Sequence, residues 1–395
     1  MSRLPKTRNW SRRRVGGTAL LAGMLALAGA TAALAAPAQH TATRSAAAAV
    51  PWRKAGIGWA IAEYSASVFV LGRPTMDKPG VTTLYLTSPT GAKYAFYSWP
   101  KSQFPAWTVV DWSGDRQRVL LEAFGAAGKP NRFEQVSLAT RKVVSAFTMP
   151  PGVTMLGYTR PNGLNLLATH VHGLTIHVVR YNLAGKLQVV LATREILDSA
   201  IDSPDGKSVI IGTATGLEQV NNTGGRIKAL KPPVAVHVCS PVRWWTAHTV
   251  LAFCFARGTH PFPRLWLFPV GGGKVTALTP QRLGHGPDFG DLAAWRLSDG
   301  LYLQGQAIAG CGTQIIMRQW RNGSAHVVNV PFTAGDNRIV TGLGGQLLVW
   351  GKHPCGPGGA LLWYNPGTSA VKFILRAVHN IVGVTSWAPY GRPLT

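Results

Sequence analysis

Along this chain, polar clusters rich in Asp, Gly, Pro and Ser lead straight into short apolar runs, and the pairing recurs at intervals of roughly forty to fifty residues. The clearest copy reads Asp202-Ser203-Pro204-Asp205-Gly206-Lys207-Ser208-Val209-Ile210-Ile211. Pro, Asp and Gly suit a tight turn there, and the β-branched run suits a strand. Other copies run from Asp111-Trp112-Ser113-Gly114-Asp115 into Val119-Leu120-Leu121, from Arg160-Pro161-Asn162-Gly163 into Leu166-Leu167, and from Leu297-Ser298-Asp299-Gly300 into Leu301-Tyr302-Leu303. Each unit continues into two more alternating runs, as in Thr83-Leu84-Tyr85-Leu86 then Tyr94-Ala95-Phe96-Tyr97, or Arg264-Leu265-Trp266-Leu267-Phe268 then Lys274-Val275-Thr276-Ala277-Leu278. Pro89-Thr90-Gly91 and Gly271-Gly272-Gly273 stand between these outer pairs as hairpin turns. Outside the first residues, almost no apolar pattern of helical period runs long enough for a helix, so the chain reads as all-β.

Four strands per unit, repeated, predict a β-propeller. Laid in order, the inner hairpins centre near Glu63 to Ser67, Asp111 to Asp115, Arg160 to Gly163, Asp202 to Gly206, Trp245 to His248, Leu297 to Gly300 and Gly342 to Gly345, followed by a partial unit at Ile381 to Tyr390. Seven four-stranded blades fit this spacing best, with six or eight compatible with so faint a repeat. The terminal strand then completes a blade begun at the start of the domain or caps the ring. Closure across the termini removes two sheet edges that otherwise invite aggregation.

The start of the chain sets an expected location. Arg3, Lys6, Arg8 and Arg12-Arg13-Arg14 precede an apolar stretch from Thr18 to Ala36, and Ala33-Leu34-Ala35 offers small residues at the cleavage spacing of a secretory signal. Residues 1–36 therefore read as a signal, 37–56 as a small, polar, disordered lead or tether, and 57–395 as the propeller. Ser11-Arg12-Arg13-Arg14-Val15 resembles a twin-arginine signal without the usual Phe and Lys, which leaves both export routes open. An uncleaved anchor is the rival reading, disfavoured by the weak hydrophobicity of so much Ala and Gly. The net charge of +25, less six basic residues in the signal, leaves a mature chain near +19. Such a charge favours anionic partners: wall polymers, phospholipid head groups, polysaccharides or nucleic acid. Arg116, Arg118, Arg141, Lys142, Lys186, Lys228 and Lys231 are scattered through turns rather than gathered in one run, a distribution that mostly solubilises a surface. No pattern of basic and stacking aromatic residues marks a nucleic-acid reader.

The cysteines form an even set suited to an oxidising compartment. Cys239 and Cys254 lie nearly equidistant from the turn at Thr246 to His248 and are expected to pair across an inner hairpin. Cys311 and Cys355 occupy equivalent places in consecutive repeats, in Gly310-Cys311-Gly312 and Pro354-Cys355-Gly356, and are expected to staple neighbouring blades. The close paired spacing of a zinc cluster is missing.

At Ser203-Pro204-Asp205-Gly206-Lys207 followed by Val209-Ile210-Ile211, the chain resembles the repeat of TolB-like and WD40-like propellers, with the remaining copies degenerate. The resemblance implies a protein-interaction or scaffold propeller, in some members a regulatory domain attached to a hydrolase; no hydrolase domain is expected after these repeats. The signal, the Ala-rich lead and the Arg, Gly and Ala content look like an exported protein of a high-GC Gram-positive bacterium.

Candidate chemistry is sparse. Asp111, Asp115, Asp202, Asp205 and Asp299 sit in the repeated turns, where carboxylates serve local backbone. No copy ends in the Gly-x-Thr-Trp of a sialidase Asp box, and no Gly-x-Ser-x-Gly elbow occurs. His170-Val171-His172, with His177 nearby, is the best metal candidate, but two histidines lack a carboxylate or cysteine partner, so neither a metal nor a cofactor is expected. The recurring tryptophans mostly suit packing between blades. Trp245, Trp295, Trp112 and Trp387 fall at the ends of inner strands and are the candidate ligand-binding residues at the channel mouth, placed to stack on sugar rings. The reading is a secreted, monomeric, non-enzymatic propeller that binds a protein or an anionic envelope polymer on one loop face, without a membrane span once the signal is cleaved. The alternative is an extracellular glycan lyase or hydrolase, which requires Asp288, Asp291 and a nearby His to converge.

Overall fold

In the computed structural model, residues 50–65, 80–102, 107–123, 129–195, 197–257, 262–281, 288–309, 312–333, 335–352, 359–377 and 380–386 are described. These residues form twenty-eight strands arranged as seven four-stranded antiparallel sheets, with a single short 3-10 helix at Trp52–Lys54. The inner strands of blades 2 to 7 are Thr108–Trp112, Val153–Tyr158, Leu197–Asp202, Val236–Thr246, Asp288–Leu297 and Asp336–Leu343. Each sheet packs on the next around the ring. The molecule is a seven-bladed β-propeller.

Packing explains why the repeated apolar runs are unbroken rather than alternating. Seven apolar clusters fill the seven gaps between adjacent blades. Because each blade has a neighbour on both faces, successive residues of its second strand bury in opposite gaps. Val209 and Ile211 face blade 3 while Ile210 faces blade 5. Val119 and Leu121 face blade 1 while Leu120 faces blade 3. Leu301 and Leu303 alternate with Tyr302, and Leu347 and Val349 with Leu348, in the same way. Burying each such side chain contributes about 1.5 to 3 kcal/mol.

The turn clusters fold as one recurring device. In Ser203-Pro204-Asp205-Gly206 the Ser203 hydroxyl donates to the Asp205 carboxylate at 2.6 Å and accepts from the Ser208 N–H at 3.0 Å, while Asp205 accepts from the Lys207 N–H at 3.0 Å. Ser113 and Asp115 repeat these bonds toward Arg118 and Gln117. Gly206 has φ +69°, and a Cβ there would lie 2.1 Å from the Arg160 carbonyl oxygen of the neighbouring turn. Only glycine allows successive inner turns to approach so closely.

Closure joins the two ends of the domain. Asn380–Ser386 is the inner strand of blade 1, paired with Ala60–Ser65, and Gly80–Thr87 and Lys93–Ser102 complete that blade. Glu63 to Ser65, where an inner turn is expected to begin, lie instead within the second strand of blade 1, and that strand pairs with Asn380–Ser386 from far along the chain, so no short hairpin joins the first two strands of this blade. The chain is already packed on the ring at Val50 and Ala55, and the Ala55 carbonyl accepts from Arg116 at 2.7 Å.

Cys239 and Cys254 sit directly opposite in the inner hairpin of blade 5 and form a disulfide, as the spacing about the turn predicts. Cys311 and Cys355 lie outside the described residues, as do residues 1–49, on which the expected signal and most of the expected lead fall. Replacing both Cys239 and Cys254 by Ala is expected to lower stability by about 3 kcal/mol, the chain-entropy figure for a loop of roughly 15 residues. Calorimetric melting of the double variant against the parent checks this; an unchanged melting temperature would show that the hairpin is held by its strands alone.

Candidate functional site

The inner strands carry a feature that the sequence does not advertise. All seven shift register against the second strand of their blade, at residues that include Val110, Leu156, Val242, Leu292, Val340 and Val382. An extra residue in the inner strand bends it and turns backbone N–H groups away from the ladder. Acidic and amide side chains of adjacent blades accept from N–H groups near these shifts and from the turn that follows. Glu63 accepts from the Val109 N–H at 3.2 Å, Asp111 from Tyr158 at 2.8 Å, Asp202 from Arg160 at 2.9 Å, and Gln304 from Ile339 at 2.8 Å. Asp336, on the inner strand of blade 7, accepts from the Ile315 N–H of blade 6 at 3.0 Å.

The densest part of this system spans blades 2, 3 and 4. The Arg160 guanidinium reaches both oxygens of Asp111 at 3.1 and 3.0 Å, while its own N–H binds Asp202. Gly157, with φ +141°, lets the Asp111 carboxylate approach: a Cβ at that position would lie 2.5 Å from Asp111 Oδ2. Burial pushes the Asp202 carboxyl up to about 7, against the Arg160 N–H and the Arg160 and Arg180 charges that favour the anion. Burial likewise raises Glu63 to about 8, opposed by its bonds from Val109 and Thr108. Each of these carboxyls keeps one oxygen without a hydrogen-bond partner, Oε1 of Glu63 and Oδ1 of Asp202, and a protonated acid tolerates that position better than a carboxylate does. The arrangement joins blades 2, 3 and 4.

The tryptophans fall into two groups. Trp112 is 1 % exposed, enclosed in the apolar gap between blades 1 and 2 with Trp99 and Leu138. Trp295 is buried with Leu297 and Ile339 between blades 6 and 7. Both therefore serve packing in this fold, and neither offers a ring to solvent. Trp245 is half-buried near the inner turn of blade 5 and belongs to a ladder of alternating indoles and guanidiniums. The Arg243 carbon lies 5.3 Å from the Trp295 ring centre and 5.1 Å from that of Trp245, and Arg296 lies 5.7 Å from the Trp245 centre. Burial pulls the Arg243 guanidinium down to about 10, still cationic at neutral pH. Arg243 also donates to the Ala294 carbonyl, which pins the inner strand of blade 5 to that of blade 6. Among the described residues, no carboxylate lies within ion-pair distance of Arg243 or Arg296. The exposed end of the ladder, Arg296, presents a cation rather than a bare indole face. Trp387 lies outside the described residues.

His170, His172 and His177 come together on the hairpin of blade 3, with ring centres 6.4 and 6.1 Å apart along the series. His177 is committed to the Thr193 hydroxyl at 2.8 Å, and burial first, then the neighbouring imidazoles, lowers the His170 pKa. Among the described residues no group of three His, Cys, Asp or Glu side chains is arranged to hold a metal. Asp291, part of the cluster that a glycan-cleaving reading requires, is buried and paired with Arg318 at 3.4 Å. His285 and the Asp288 side chain lie outside the described residues.

The structure also gathers residues that look scattered in sequence. Lys228 and Lys231, on the outer edge of blade 4, meet Lys274 of blade 5 around a groove of about 280 Å³. Forty or more positions separate Lys274 from Lys228 and Lys231, so only the adjacency of successive blades unites them.

No protein-family model matches this chain, and no curated protein matches it in sequence. Solved structures share its fold. A prolyl endopeptidase is similar over 78 % of this chain and 50 % of its own, at 12 % identity and a TM-score of 0.51, so the chain spans half the length of that protein. TolB from Acinetobacter baumannii aligns over 82 % of this chain and 65 % of its own, at 14 % identity and a TM-score of 0.42. A putative 6-phosphogluconolactonase from Bacteroides fragilis aligns over 83 % and 98 %, at 14 % identity and a TM-score of 0.47. At these identities the likeness speaks to the fold alone. Among the described residues no helix is long and apolar enough to cross a membrane.

The raised carboxyls make stability depend on pH. Both groups hold a proton in the folded ring that the unfolded chain releases, so their contribution is complete below their ordinary values of 4.5 and 3.8 and is lost as pH climbs through about 8 for Glu63 and about 7 for Asp202. Each group costs roughly 1 kcal/mol per pH unit across that window. Thermal melting between pH 5 and 8 should show a falling midpoint, flattened in Glu63→Gln and in Asp202→Asn. A midpoint that rises over that range would mean both groups are ionised in the ring.

Proposed function

We propose that this chain is an exported, cofactor-free, non-enzymatic binding propeller that captures an anionic polymer of the cell envelope on the face carrying the inner turns. The observation that carries the reading is the Trp295, Arg243, Trp245, Arg296 ladder, in which two cations without a carboxylate partner run toward an exposed guanidinium on that face. An indole beneath a guanidinium holds the cation by its ring quadrupole and leaves the outward N–H groups free for an anion. The acids point the same way. Glu63, Asp111, Asp202 and Asp336 accept bonds from neighbouring blades, so their work is structural and the remaining surface charge is strongly positive. Export is supported by the basic-then-apolar start of the chain and by the Cys239–Cys254 disulfide, a bond typical of oxidising compartments.

Binding to isolated envelope polymer should weaken about tenfold or more as ionic strength rises from about 0.05 to about 0.5 M, since the screening length shrinks severalfold. Arg296→Gln should weaken binding at low salt without lowering the melting temperature, and Trp245→Ala should do so more strongly by releasing both guanidiniums. Salt-independent binding, or release of soluble fragments from the polymer by the purified protein, would overturn the reading.

A further inference from the structure

We propose that the groove between blades 4 and 5 is a binding site for phosphate groups, specifically those of a polyol-phosphate chain; only the polymeric nature of this ligand rests on the function proposed above. One wall is the outer strand of blade 4, Arg226–Leu230, continuing into Lys231-Pro232-Pro233. The other is Gly273-Lys274-Val275, at the end of the outer hairpin of blade 5. The groove exists because the outer strand of blade 5 is only two residues long, Thr276–Ala277, whereas the outer strand of blade 4 has five and that of blade 3 has eight. The shortened edge uncovers the space that an outer strand fills elsewhere.

Three lysines line that space. Lys228 bridges the two blades by donating to the Val270 carbonyl at 3.4 Å, and Lys231 and Lys274 line the groove with exposed side chains. Among the described residues none of the three has a carboxylate within ion-pair distance. Glu218, on the third strand of the same blade, is committed to Arg194 and lies 3.9 Å from Arg226. Three like charges lining one cavity are complementary to a multiply charged anion.

The lining also selects among anions. No arginine lines the groove, so an anion there meets compact ammonium point charges that make no planar, two-pronged demand and can serve a tetrahedral phosphate. Gly273 presents backbone without a side chain, and a Cβ added at Gly271 or Gly272 would meet nothing within 4 Å, so the hairpin leaves the approach open. The floor is apolar, with Leu230 and Val275 buried at 5 % and 9 % exposure, which suits the carbon chain of a polyol. A volume of about 280 Å³ accepts a phosphate with its flanking carbons rather than a whole oligomer. Pro232 and Pro233 fix the backbone beside Lys231, so little ordering is required on binding.

Calorimetric titration of the purified protein at low salt tests the site with three probes: inorganic phosphate, a short glycerol-phosphate oligomer and a uronate oligomer of equal charge. The glycerol-phosphate oligomer should bind, should protect Lys228, Lys231 and Lys274 from amine-reactive labelling, and should bind about tenfold or more tighter than the uronate. Lys231→Gln combined with Lys274→Gln, both exposed, should weaken that binding about tenfold or more while the melting temperature stays unchanged. Oligomer binding that survives the double substitution, or equal affinity for the uronate, overturns the proposal. Equal affinity for inorganic phosphate overturns its polymer part and leaves a free-phosphate site. Capture of envelope polymer that persists in the double variant, with no oligomer protection of the lysines, removes the groove and leaves the general binding function standing. Oligomer binding at the groove by a protein that captures no envelope polymer does the reverse.

Discussion

A blade in this ring has a neighbour on each side, and its sheet must bury both faces. That requirement fixes most of what the chain does. The second strand of each blade needs consecutive apolar residues rather than alternate ones, because Val209 and Ile211 lie in one gap and Ile210 in the next. Tryptophan, tyrosine and phenylalanine fill the spaces between sheets that diverge from the axis, and Trp112, Trp363 and Phe133 are among the largest side chains that are fully enclosed. A surface this committed to packing leaves function to turns, outer edges and strand ends.

A second demand falls on the axis, where each inner strand has an edge with no strand beside it. Register shifts in all seven inner strands turn amide groups outward, and side chains of adjacent blades accept from N–H groups near these shifts. A carboxyl at these places is used as an acceptor for backbone, and burial raises two of them, Glu63 and Asp202, far above their ordinary values. Raised acids in clefts often mark catalysis. Here each already accepts a hydrogen bond from the next blade, so the same shift reads as the consequence of joining sheets.

The turn clusters were legible in the sequence because a tight turn before a buried strand needs specific residues: Ser203, Asp205 and Gly206 each have a bond or a backbone angle that few others can supply. The pairing of Cys239 with Cys254 was legible because a hairpin makes distance from its turn a measure of register. The roles of the tryptophans were not, since strand position alone does not tell which face of a blade a side chain takes. Trp112 and Trp295 lie in closed gaps, while Trp245, also at the end of an inner strand, lies beneath guanidiniums from its own and the adjacent strand. Nor could the lysine groove be read from spacing, because it depends on one outer strand being cut short.

Closure of the ring has a consequence for the order in which the molecule can be made. Blade 1 takes three strands from the start of the domain and its inner strand, Asn380–Ser386, from near the last residues. During synthesis that blade waits with an unpaired edge while six others are laid down, and the pairing that completes it spans more than three hundred positions of chain. Contacts of such separation form late and slowly. Blade 1 is thus completed last, and a nascent chain lacking those few residues carries all seven interblade apolar clusters in sequence while keeping an incomplete blade with a sheet edge free to pair with another copy.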